Sequence, residues 1–253
     1  MTERRPLVFV CAHLCDERLY APQLAALSPA YDCSVHCFRE HDSLGGMAEE
    51  LLATAPPRFT LIGLSLGGYV ALEVIRRQFD RLEQLVMMDT SAVADDELHR
   101  AGRFADIAKV KAGGIDALIP ELPTRWLHPA HATRPDLVGL MASMARAVGA
   151  QGQYNQQQAM LARPDSHADL RRVRIPTRAI RGIYAALRGR RLSSFVDRLL
   201  CRSSGPASSR LPTIRRAARA TAQGSSRGAL TALERPAIPG AINRWRHLTL
   251  LLM

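Results

Sequence analysis

No apolar stretch in the 253 residues approaches the roughly 18 consecutive residues that a membrane-spanning helix needs. The N-terminus, Met1 to Pro6, opens onto an apolar run of only Leu7 to Ala12, too short for the core of a secretory leader. The chain is therefore expected to be cytoplasmic, with no membrane partner. Cysteine is scarce and odd in number: Cys11, Cys15, Cys33, Cys37 and Cys201. Without a leader, that count predicts reduced thiols. It also offers no zinc site, because the usual two-residue cysteine spacing is missing. On a strand, Cys33, Val35 and Cys37 alternate to one side and His36 to the other. Phosphate-binding loops are missing too, since Gly45-Gly46 and Gly113-Gly114 have no lysine behind them. No metal, flavin, nicotinamide or nucleotide motif is present, so no cofactor is expected.

Acidic residues are almost absent from one region. Residues 171–229 hold 15 Arg and a single acid, Asp197. Residues 1–170 hold 16 Lys/Arg against 21 Asp/Glu, a net of −5. The formal charge of +11 thus belongs to one segment of a mildly acidic protein. That segment has no aromatic interleaving beyond Tyr184 and Phe195, which argues against nucleic acid as a partner.

What is present is an alternation of strand and helix patterns. Leu7 to Cys11 reads as a strand buried on both faces. A helical pattern follows through Tyr20, Leu24 and Leu27. Tyr31 to Phe38 alternates as a second strand, and Met47 to Ala55 has helical spacing that ends at Pro56-Pro57. Phe59 to Gly63 is a third strand, Gly68 to Arg77 a helix, and Leu82 to Met88 a fourth strand ending at Asp89. Short links between such units predict an α/β fold with a doubly wound, mostly parallel sheet. Residues 95–168 read as helices, with Leu98, Ala101, Phe104 and Ala105 on one face and Leu137, Leu140, Met141 and Met144 on another. They predict a helical cap over the sheet edge. Ile175-Pro176-Thr177 looks like the entry to another strand.

Between the third strand and its helix stands Gly63-Leu64-Ser65-Leu66-Gly67. A serine hydroxyl needs a base to take its proton and donors to hold the oxyanion that forms. A sharp strand-to-helix turn with small neighbours lifts the hydroxyl above the sheet. It also aims the Leu66 N–H at the reacting oxygen. Ser65 is the candidate nucleophile and the Leu66 backbone the first oxyanion donor. The second donor is expected from the loop after the first strand, at the backbone N–H of His13 or Leu14.

These residues resemble the α/β-hydrolase superfamily, and its small-esterase branch in particular, over residues 6–177. Pro6 to Val10 followed by Leu14 to Tyr20 is similar to the family's first strand and oxyanion loop. Gly63 to Glu73 is similar to its elbow and following helix, and Leu85 to Ala92 to its next strand. Ala162 to Ser166 and then Arg174 to Thr177 resemble the end of its cap. Where the family usually has Pro-Gly, this chain has Cys11-Ala12. The resemblance also implies a triad acid and a triad histidine, and the matching positions are Ala185 and Ala229. Ala229 lies in Gly228-Ala229-Leu230, where the family has Gly-His-Leu.

The same resemblance implies a serine hydrolase, carboxylesterase-like, taking a small apolar ester or thioester and impaired by the two alanines. The alternative is an inactive hydrolase-like protein that binds a small ligand. Asp89 is a substitute acid to weigh, and His13, His36, His41, His99, His128, His131, His167 and His247 are substitute bases. Trp126, Leu127, Met141, Met144 and Tyr154 are candidate pocket-lining residues. The expected division is the N-terminal core at 1–94, cap at 95–170, a degenerate return strand at 171–187, an Arg/Ser-rich disordered segment at 188–229, and a C-terminal helix region at 230–253. The abrupt change of composition reads as a reading-frame excursion from about 178 or 188 to 228, or as genuine divergence.

Overall fold

A computed structural model of the chain describes residues 4–180. Five strands form one sheet: β1 (Pro6–Val10), β2 (Asp32–His36), β3 (Phe59–Leu64), β4 (Leu82–Met88) and β5 (Thr177–Ile180). Their order is β2-β1-β3-β4-β5, and every pairing is parallel. Alternate residues of each strand face opposite sides, so each side acquires its own apolar layer. Val8, Val10, Leu61, Leu85 and Met87 pack under α2 (Leu44–Thr54) and α3 (Leu66–Gln78). Leu7, Phe9, Ile62, Val86 and Met88 pack on the opposite side with Leu27 of α1 (Ala21–Leu27). The inner strands β1, β3 and β4 are mostly apolar because both their faces are covered, whereas β2 and β5 are more polar and only partly buried. Residues 171–187 are described only in part, and the expectations for 188–229 and 230–253, with Ala185, Ala229 and His247, lie outside the described residues.

The chain runs from β1 outward to β2, then returns past β1 to β3. The order reverses between β1 and β3, which is where doubly wound sheets open a crevice at their carboxyl ends. The loop after β1 and the turn after β3 are therefore neighbours.

The cap is helical, as expected. Its elements are α4 (Glu97–Gly113), α5 (Leu122–Trp126), α6 (Pro135–Leu161) and α7 (His167–Arg172). Asp96 caps α4, accepting from the His99 N–H at 2.8 Å. Inside the cap, Val110, Leu118, Ile119, Leu122, Leu127, Leu137, Met141 and Val148 form an apolar cluster that also holds Leu14. One expectation is corrected here: Leu98 and Phe104 do share a face of α4, but it points outward, and Leu98 is 80% exposed. Val110 carries the buried side of α4 instead. α6 is broken at Gly149, whose φ of 74° and ψ of 179° are not helical.

Cys11 and Cys37 lie side by side at the ends of β1 and β2, their Cα atoms 5.2 Å apart. β1 and β2 pair with Val10 opposite His36, so the next residue of each chain segment faces the other. A separation of 26 residues hides that juxtaposition from sequence spacing. Among the described residues Cys15 and Cys33 are free. Burial pushes the Cys15 thiol up to about 12, with the Asp16 charge adding to it, so it is an unreactive thiol.

Candidate active site

Ser65 occupies the turn between β3 and α3 with φ 52° and ψ −108°, a conformation that L residues rarely adopt. Neighbouring backbone enforces it. The Ser65 N–H donates to the Met88 carbonyl at 2.9 Å, which extends the β3–β4 pairing into the turn. The Ser65 carbonyl accepts from the Gly68 N–H at 2.9 Å and from the Thr90 hydroxyl at 2.9 Å. Small residues are required by crowding. A Cβ on Gly63 would collide with the Gly67 carbonyl, one on Gly67 with the Val10 carbonyl, and one on Gly68 with the Thr90 side chain. The contact between Gly67 and Val10 shows how closely the elbow abuts the end of β1. Among the described residues nothing is hydrogen-bonded to the Ser65 hydroxyl.

Leu66 supplies the first N–H of α3, one of the four that have no partner inside a helix. The loop after β1 is a turn closed by the Cys15 N–H on the Ala12 carbonyl at 3.2 Å. Leu14 sits in that turn with a φ of 56°. Its N–H is already engaged, donating to Gln156 Oε1 at 3.0 Å. The backbone N–H of His13 has no acceptor among the described residues. Of the two loop amides, His13 is the one available to an incoming oxygen.

The His13 ring is buried and fully engaged. Its Nδ1 lies 2.8 Å from Gln156 Oε1, an acceptor, so Nδ1 carries the proton. Nε2 then accepts from the Gln157 amide at 3.4 Å. The ring packs edge-on against Trp126, with centroids 5.8 Å apart. Burial lowers its pKa to about 4; the Gln156 bond opposes this and the Arg103 charge adds to it. A neutral imidazole whose free nitrogen already accepts a bond is poorly suited as a general base at neutral pH.

The other described histidines have partners of their own. His41 is bound to Glu50, His99 to Asp96 and His167 to Asp165. His36 stacks with Phe38, and His128 pairs with His131 in the cap. Asp89 ends β4 with a φ of 38°, and its N–H donates to the Ile180 carbonyl at 3.0 Å, tying it to β5. Leu127, Met141 and Met144 are buried in the cap and Trp126 lines its inner side. Tyr154, by contrast, is 42% exposed and turns away from that interior.

Sequence reasoning missed a buried polar network between core and cap. The Asp95 carboxylate is ion-paired with Arg103 and, at 2.7 Å, with Arg163. Arg103 also reaches the Gln157 amide oxygen at 3.1 Å. Arg163 lies over the Tyr69 ring, 4.0 Å from its centroid, one helical turn beyond Ser65. A hint was available: Gln153, Gln156 and Gln157 recur at helical spacing, a polar stripe where a core-facing helix should be apolar. All three are buried, and neither polar side-chain atom of Gln153 has a partner among the described residues.

No protein-family model matches the chain, and no curated protein sequence does. Solved structures do match. MenH from S. aureus superposes with a TM-score of 0.67 at 17% identity, over 79% of this chain and 83% of that one. An enol-lactonase from Burkholderia xenovorans LB400 gives 0.64 at 17% identity, over 79% and 92%. A thermophilic esterase from Thermogutta terrifontis gives 0.62 at 23% identity, over 70% and 71%. A parallel sheet with its order reversing at β1/β3, a strained serine at the β3–α3 turn and these superpositions lead to one conclusion: the chain has the α/β-hydrolase fold.

Proposed function

We propose that the chain is a serine hydrolase by descent, in which Ser65 is the acyl-transfer nucleophile and the Leu66 and His13 N–H groups form the oxyanion hole. The observation that carries this reading is the positive φ of Ser65, held by Met88 and Thr90. Strain of this kind is kept where surrounding structure imposes it and function uses it. The substrate is a small ester or thioester with an apolar acyl group. The apolar cap interior around Leu14, Leu127 and Met141 supports that choice, as does the esterase named among the similar structures. The protein is placed in the cytoplasm, and it uses neither metal nor cofactor.

Turnover is impaired, because the positions matching the family's acid and histidine are Ala185 and Ala229. An oxyanion hole and binding alone leave catalysis of roughly 10³–10⁴ over water. A p-nitrophenyl acyl ester should therefore be hydrolysed slowly, and Ser65→Ala should remove what rate there is. Robust turnover that depends on Ser65 would instead require a hidden base. The two alanines also favour a second reading, a catalytically silent protein that binds a small ligand near Ser65. A fluorophosphonate probe separates the two. Labelling at Ser65 supports an activated serine, and its complete absence supports the binding protein.

A further inference from the structure

The family's usual Pro-Gly after the first strand is replaced here by Cys11-Ala12, yet the loop still makes a tight turn. Leu14 adopts a φ of 56°, in the region that favours glycine. A branched side chain there resists the conformation, so contacts must hold it. Besides the Cys15–Ala12 bond within the loop, one contact comes from the cap. Gln156, 1% exposed, reaches down from the second half of α6. Its Oε1 accepts from the Leu14 N–H at 3.0 Å and from the His13 ring at 2.8 Å. Its Nε2 donates to the Phe38 carbonyl just past β2, at 2.6 Å. One amide thus ties the cap to two adjacent strand ends. Every polar atom of the amide is used, in a dry site where breaking a bond leaves a partner unsatisfied.

We propose that Gln156 is a positioning residue of the oxyanion hole: by holding the Leu14 N–H and the His13 ring, it sets the loop so that the His13 N–H is the available donor, and it makes that geometry depend on the docking of α6. The proposal rests on the reading of Ser65 as nucleophile only for its catalytic consequence. The conformational part stands on the loop alone. The neighbouring residue Asn155 provides a control, because its Nδ2 bonds the Arg39 carbonyl at 2.8 Å and touches nothing in the oxyanion loop.

The test compares full-length wild type, Gln156→Leu and Asn155→Leu. The readouts are amide hydrogen exchange at Leu14, NMR titration of the His13 ring, thermal melting, and the rate of fluorophosphonate labelling at Ser65. Gln156→Leu should speed Leu14 exchange at least tenfold, move the His13 midpoint further down because the bond that opposes the lowering is lost, and slow labelling about tenfold or more. Asn155→Leu should cause a comparable drop in melting temperature while leaving Leu14 exchange and the His13 titration unchanged. Unchanged Leu14 exchange in Gln156→Leu, or an equal effect from Asn155→Leu, would overturn the proposal. Should Gln156→Leu not fold, Gln156→Glu keeps the acceptor and loses the donor. It should keep Leu14 protected while raising the His13 midpoint, and loss of protection there would count against the clamp. If wild type itself takes no label, the nucleophile reading fails, and exchange and titration still decide the role of Gln156.

Discussion

His13 couples the site to pH. Burial holds its folded pKa near 4, whereas an unfolded histidine titrates near 6.5. Between those values the unfolded chain binds a proton that the folded chain refuses, so stability rises with pH across that window. Acidification from pH 7 should cost stability progressively below about 6.5, with the loss complete near 4. A shift of that size corresponds to up to about 3 kcal/mol. Urea unfolding at pH 7 and pH 4.5 checks this against His13→Gln, which should flatten the slope specific to that residue. An equal pH slope in the variant would place the titration elsewhere. At this scale the strand-to-helix turn at Ser65 was legible in the sequence, because a glycine-flanked serine between strand and helix has a local signature. The loop was legible only in outline, where His13 and Leu14 were equivalent candidates. Gln156, distant by more than 140 residues, removed one of them.

Two features of the cap each suggest a measurement. α4 brings Arg103 to the Asp95 carboxylate, and the end of α6 brings Arg163 to the same group. Asp95 is nearly inaccessible, so neutralising it strands two guanidinium groups in a poorly solvated place. Asp95→Asn should destabilise the protein by about 3–5 kcal/mol, as breaking a buried ion pair does. A denaturation midpoint within error of wild type would show that the pair is solvated in practice. α6 itself turns at Gly149, where the φ of 74° strains any L side chain, although nothing lies within 4 Å of a Cβ built there. Gly149→Ala should thus act through backbone strain alone, at about 1–2 kcal/mol, and should perturb Leu14 exchange by shifting the half of α6 that carries Gln156. Stabilisation by this substitution would mean that α6 straightens without harm. The helical pattern of α6 was readable from Leu137, Met141 and Met144, but the kink was not. A glycine within a helix pattern, such as Gly139 or Gly152, does not by itself announce a break.

For the whole molecule the open question is the catalytic complement. The described residues contain the strained turn at Ser65 and the loop after β1 proposed as the oxyanion loop, and no histidine among them is hydrogen-bonded to Ser65. The expected acid and base positions, Ala185 and Ala229, fall in the Arg-rich change of composition. Resequencing the DNA that encodes residues 175–235 should recover an acid and a Gly-His-Leu stretch in another frame. An intact frame, read on both strands and supported by transcript, would make the alanines genuine and strengthen the binding-protein reading.

Local pattern determined most of the architecture. The strands of the described residues, their helical links and the glycines around Ser65 are each specified within about a dozen consecutive residues, because period and turn chemistry are short-range properties. Tertiary structure decided the rest. It set Cys11 against Cys37, turned Leu98 and Phe104 outward, joined Asp95 to two arginines, and brought Gln156 to the oxyanion loop. Each of these depends on which distant surfaces are packed together, and the desolvation that gives such contacts their strength arises only once the chain has folded.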